Sequence, residues 1–147
     1  MLLNTISLKL PYPPTINHYY KKGRLRLSKK QNLYRQTILS EKAINYKKTV
    51  HLICVLNKIK KLMGSLKLIA FAFPPDRRKR DNDNIRKALF DSLQYSNIFD
   101  DDSQICDDRI IRMLYDENLK GSIFIKLIET RNDYVNKFRS IFGKETA

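Results

Sequence analysis

Pro74 and Pro75 divide this chain at the point that most constrains its fold. Before them runs LKLIAFAF, residues 66 to 73, apolar and of strand length. Two prolines cannot continue a strand ladder, so the strand ends there. After them come four basic residues, Arg77, Arg78, Lys79 and Arg80, then Asp81 and Asp83. Ile85, Ala88, Leu89 and Leu93 follow at helical spacing. A strand, a charged turn and an amphipathic helix are therefore expected in immediate succession.

With Asp83 at the start of the helix, Lys87 falls at i+4 and Asp91 at i+8, on the same face. Packing by the apolar stripe turns Asp83 and Lys87 outward together, and Asp81 reaches the same spot. Asp100, Asp101 and Asp102 lie downstream, and a short helix and a turn are expected to return them to the helix start. Two or three carboxylates suffice for Mg²⁺, which takes oxygen ligands and keeps several waters. Lys87 is then a fixed cation near a phosphate, and Arg77 to Arg80 position a nucleic-acid backbone. A plainer reading stands beside this one. Asp81 and Asp83 could cap the helix, Lys87 and Asp91 form a weak surface pair, and Asp100 to Asp102 make an acidic turn. Spacing alone leaves both open.

The other elements read as follows. Thr5 to Leu10 alternates as a strand. PYPPTINHYYKK is a loop that mixes Tyr12, Tyr19 and Tyr20 with Lys21 and Lys22, a pattern able to stack on bases and meet phosphates. Arg24 to Leu27 suits a short hairpin arm. Ser28 is placed as N-cap of a helix to about Asn45, and more helix is expected over Thr49 to Met63. Strands are expected at Asp108 to Tyr115 and Ser122 to Glu129, joined as a hairpin by Asp116 to Gly121.

Charge gives the partner class. Of 29 Lys and Arg, fifteen lie in residues 1 to 75 beside a single acid, Glu41, whereas residues 76 to 147 are balanced. A one-sided basic field points to nucleic acid, with Lys21, Lys22, Arg24, Lys29 and Lys30 joining Arg77 to Arg80 as DNA-binding candidates. Cys54 and Cys106 form neither a zinc motif nor a disulfide framework and suit a reducing cytoplasm. No signal-peptide layout and no run approaching ~20 apolar residues is present, so no membrane partner is expected.

PPDRRKRDNDNIRKALFDSL followed by DDSQI resembles the signature of the RusA family of Holliday-junction resolvases. SLKLPYPPTINHYY is similar to that family's N-terminal strand and proline-rich loop, and the closing segment GSIFIKLIE to its last strands. The resemblance covers residues 5 to 129. It implies a RusA-like domain over residues 1–129 with a mixed α/β (α+β) fold. The expected architecture is a mixed sheet of about four strands packed with two to three helices, in a homodimer. Residues 130–147 are a C-terminal extension, expected as a short helix on the same domain.

The resemblance also implies metal-binding at Asp81, Asp83 and Asp102, an essential Lys87, and Mg²⁺ as cofactor with Mn²⁺ substituting. Three consecutive aspartates stand where the motif needs two, so Asp101 is an alternative to Asp102. The implied activity is paired nicking of four-way DNA junctions in recombination and repair, by a bacterial or phage-encoded cytoplasmic protein. Two other readings are kept: a nuclease for flaps and forks, and a DNA- or RNA-binding protein without catalysis.

Overall fold

In β1, Thr5–Pro11, every second side chain is buried: Ile6, Leu8 and Leu10. That period of two lets one strand face cover a core while the other stays wet. The same logic shapes β4, Ser65–Phe73, which buries Leu66, Leu68, Ala70 and Ala72, and β6, Ser122–Thr130, which buries Ile123, Ile125 and Leu127. With β5, Ile105–Arg112, they form one sheet in the order β1-β6-β4-β5. Register aligns the buried positions into rows, such as Leu8, Ile125, Ala70 and Ile110. In this computed structural model of the chain, residues 4–80, 82–130 and 140–141 are described.

Three helices whose bounds lie within the described residues accompany the sheet: α1, Ile16–Tyr19, α2, Glu41–Leu56, and α3, Asp83–Tyr95. From α2, Tyr46, Val50 and Cys54 enter the main core, and from α3 come Ile85, Leu89, Phe90 and Leu93. Tyr19, Ala43 and Ala88 make a smaller cluster where α1, α2 and α3 meet. Ile69, Phe71, Phe73, Phe124 and Ile111 lie on the alternate positions of the sheet, away from that core; Phe73 and Phe124 meet edge to face at 5.7 Å.

The mixed α+β architecture, the four-strand sheet and the strands at residues 5, 66 and 122 match expectation. The helix expected over Thr49 to Met63 ends at Leu56, and three further readings do not match. Residues 28 to 45 are not one helix: β2, Tyr20–Leu27, and β3, Leu33–Leu39, pair as a separate two-stranded hairpin, and α2 starts only at Glu41. Its N-cap is Ser40, whose Oγ accepts from Ala43 N at 3.1 Å, an interaction worth about 1 kcal/mol. Ser28 instead closes the hairpin turn, its Oγ accepting from Asn32 N at 3.1 Å. The PYPPTINHYYKK segment also holds α1 and the start of β2 rather than being loop throughout.

The third correction concerns the closing strands. β5 runs over residues 105 to 112, three earlier than expected, and it does not form a hairpin with β6. β4 lies between them, parallel to β5 and antiparallel to β6. Parallel neighbours need a crossover, and α3 is that crossover. Residues 113 to 121 cross the end of β4, where Met113 N donates to Ala72 O and Gly121 N to Phe73 O. The expected C-terminal helix lies outside the described residues except for Ser140 and Ile141, which are helical. Among the described residues no helix is long and apolar enough to cross a membrane. Cys54 and Cys106 are free thiols.

Candidate active site

The βαβ unit β4–α3–β5 sets the site. At the head of α3, Asn82 is the N-cap residue but makes no side-chain capping bond. Its amide instead donates to Ile110 O at 2.7 Å and ties the helix start to β5. Asp83 is the first helical residue and is exposed. Its carboxylate has no hydrogen-bond or ion-pair partner among the described residues, so capping does not occupy it. Asp81 lies outside the described residues.

The basic loop before α3 has an internal brace. Arg80 Nη1 and Nη2 lie 2.6 and 2.8 Å from the two Asp76 oxygens, and Arg78 N donates to Asp76 at 2.9 Å. The Arg80 bond, with help from Arg78, holds the Asp76 carboxyl well below the usual carboxylate range. Arg80 is only 14 % exposed, whereas Arg77, Arg78 and Lys79 are exposed. Arg77 also lies over the Tyr115 ring, 5.2 Å from its centre. Three cations thus stand beside the helix head, and Arg80 shapes the loop that presents them.

One turn into α3, Lys87 is 47 % exposed, with its Nζ 2.9 Å from Asp91 Oδ1. Tyr19 Oη donates to Asp91 Oδ2 at 2.9 Å, and Lys47 Nζ stands 4.0 Å from that same oxygen. The Asp91 bond raises the Lys87 pKa, with further support from Tyr20 and Asp102. Tyr19 is fully buried, and burial followed by the Asp91 bond pushes its phenol far above its ordinary value. In the sequence Tyr19 reads as a base-stacking candidate, which its complete burial contradicts, and Asp91 reads only as the partner of a weak surface pair. The i+4 spacing of Asp91 from Lys87 is a signal there; the approach of Tyr19 from 72 positions away is not.

The three consecutive aspartates separate by role. Asp100 pairs with Lys61. Asp101 caps a 3₁₀ turn, Asp102–Gln104, accepting from Ser103 N at 2.9 Å, and the Ser103 side chain first and its backbone N–H second lower the Asp101 pKa. Asp102 is exposed and has no bond or ion pair among the described residues. The cluster is anchored at the far end of α3 rather than at the helix start, with Asp102 within electrostatic range of Lys87. Gln94, near the end of α3, donates to Asp100 O at 2.9 Å, and Gln104 donates to Gly64 O just before β4. From Asp83 to Gln94 the helix rises about 16 Å. Because β5 is parallel to β4, a chain entering β5 must start from the end of the sheet where β4 begins, whereas Asp83 follows the end where β4 finishes. Among the described residues no three His, Cys, Asp or Glu side chains are gathered as a metal would need.

With this geometry the relatives can be compared. A family model described as Endodeoxyribonuclease RusA matches residues 11–127. The chain belongs to the RusA family. It is 32% identical to "Crossover junction endodeoxyribonuclease rusA" of Enterobacteria phage 82, over 76% of this chain and 85% of that one. It is 34% identical to the RusA protein of the same description from Escherichia coli strain K12, over the same shares. The counterpart in Enterobacteria phage HK97 is 35% identical, over 75% of this chain and 84% of its own.

In this RusA-family chain the β2–β3 hairpin adds a second basic surface. Lys21, Lys22, Arg24, Lys29 and Lys30 are all exposed and have no ion pair among the described residues. Arg26 and Arg35 join them on the same hairpin. The donor chemistry at the head of α3 and in the acidic turn fits a divalent cation. Asp83 and Asp102 offer hard carboxylate oxygens that form no ion pair among the described residues, although Lys87 lies near enough to Asp102 to feel its charge.

Proposed function

We propose that this chain is a crossover junction endodeoxyribonuclease that hydrolyses phosphodiester bonds in four-way DNA junctions. The observation that carries the reading is the unneutralised Asp83 carboxylate at the head of α3, flanked by exposed Arg77, Arg78 and Lys79, in a chain of the RusA family. Acids inside a phosphate-binding surface weaken binding unless a cation lies between. Asp81, Asp83 and Asp102 are the proposed ligands of Mg²⁺, with Mn²⁺ able to substitute. Asp101 is the weaker candidate because its carboxylate already caps the turn.

When bound, the cation polarises the scissile phosphate and supplies an activated water. The chain's own residues do the rest. Arg77, Arg78 and Lys79, with Lys21, Lys22, Arg24, Lys29 and Lys30, neutralise and orient backbone phosphates, while Arg80 holds the loop shape. The Lys87 ammonium stabilises charge that develops on the phosphate. Water adds to phosphorus and the 3′ oxygen leaves, so the product is a ligatable nick with a 5′-phosphate.

A homodimer is part of the proposal. A four-way junction cut symmetrically needs two sites related by a two-fold axis, and each chain carries one set of residues. The separation of Asp83 from Asp102 along α3 supports a site closed between copies, with Asp81 and Asp83 from one chain and Asp102 from the other. The apolar side of the sheet that no described helix covers offers area for such an interface.

The test is cleavage of a synthetic four-way junction and a matched duplex by wild type and D83N, with Mg²⁺ and with EDTA. Paired nicks are expected only on the junction, only with metal, and about a hundredfold or more slower in D83N. D83N is expected to bind the junction as well as wild type. Binding without cleavage, alike in both proteins and indifferent to metal, would establish a non-catalytic binder. Equal cutting of flap and fork substrates, run beside these two, would establish a broader nuclease.

A further inference from the structure

We propose that Asp91 is a positioning residue of this site, its carboxylate fixed by Tyr19 so that it holds the Lys87 ammonium in one place. The inference rests on the role given to Lys87 above. A surface lysine ordinarily samples many rotamers, and an exposed ion pair does little to stop it. The pair here differs in three respects. Asp91 is only 16 % exposed. Its second oxygen accepts from the phenol of Tyr19, which is itself fully buried against Ala43 and Ala88. The pair also runs from Lys to Asp along the helix, the weaker of the two i,i+4 orientations for helix stability. Support of the helix therefore does not explain it.

The arrangement leaves the lysine able to act. An ammonium has three protons; one serves Asp91 and two remain for phosphate oxygens. Among the described residues the charged and titratable groups around Lys87 are Asp91 on α3, Tyr20 on β2 and Asp102 in the acidic turn. Lys47 on α2 and Tyr19 on α1 share the Asp91 carboxylate. Tyr19 thus links the proline-rich N-terminal segment to the lysine through one half-buried carboxylate.

The test uses the full chain and junction DNA, with single-turnover cleavage in Mg²⁺ and binding in EDTA. D91N is expected to cut about tenfold slower and Y19F about threefold slower, with junction affinity unchanged. In a K87M background D91N is expected to slow cutting no further, because its effect passes through the lysine. The alkaline limb of the pH–rate profile is expected at lower pH in D91N, since the carboxylate favours the protonated amine.

Wild-type rates in both variants would overturn the proposal. So would a reduction that multiplies with that of K87M, or one that follows affinity or melting temperature alone, as a purely structural pair would give. If D91N does not fold, Y19F decides, because it removes only the hydroxyl. A wild type that cuts no DNA overturns the nuclease reading itself and this role with it. A wild type that cuts beside an equally active D91N overturns this role only.

Discussion

Asp76 and Arg80 show how neighbours of similar chemistry take different work. Arg80 belongs to a run of four cations, yet its guanidinium turns back on Asp76 while Arg77, Arg78 and Lys79 remain exposed. The Asp76 carboxyl is held below its usual range by this pair. Its contribution to stability is therefore complete above the ordinary carboxylate pKa of about 4 and is lost as pH falls toward the folded value. Thermal unfolding of wild type and D76N should differ by a constant amount above about pH 4, and the gap should close below it. A gap that is flat through the acid range would show that the brace adds nothing. Asp100, Asp101 and Asp102 are divided in the same way, one by Lys61 and one by a cap, which leaves the third available.

The β2–β3 hairpin is the element that departs furthest from its sequence pattern. Leu33, Tyr34, Thr37, Ile38, Glu41 and Ile44 fit a helical stripe, but Tyr34 pairs with Arg26 and Leu33 with Leu27 across the strands. Gly23 lies at the register shift, where an added Cβ would meet Gln36 O at 3.0 Å. The hairpin carries seven cations and no acid, so its contribution to DNA binding should be chiefly electrostatic. Replacing Lys29 and Lys30 by glutamine should weaken binding to junction and duplex alike. The slope of log affinity against log salt should fall by about one unit for each phosphate the lysines no longer neutralise. An unchanged slope would remove these two lysines from the interface. α3 is the opposite case: its apolar stripe, its outward Lys87 and its start at Asp83 all lie where their spacing put them.

For the molecule as a whole, the crossover bears on the proposal of a site shared between two chains. A parallel β4–β5 pair sends α3 back along the sheet and leaves Asp83 and Asp102 toward opposite ends of it. D83N and D102N should each be inactive alone. Mixed and allowed to exchange subunits, they should regain cutting, because each mixed dimer holds one site with both aspartates intact. That activity should nick one strand of the junction rather than two. Light scattering that finds only monomer, or a mixture that stays dead despite exchange, would rule out the shared site.

Residue order alone determined the strands that alternate, the helix whose stripe faces the core and the family signature, since these depend on neighbours within a few positions. The tertiary structure decided the rest. Ser28 and Ser40 offer the same hydroxyl, and only the pairing of β2 with β3 made one a turn residue and the other a cap. The insertion of β4 between β5 and β6 replaced an expected hairpin with a crossover. Tyr19 reached Asp91 because α1 packs against α3, a meeting that no local spacing encodes. Local periodicity records which way a side chain points, whereas the partner it meets depends on how distant segments close on one another.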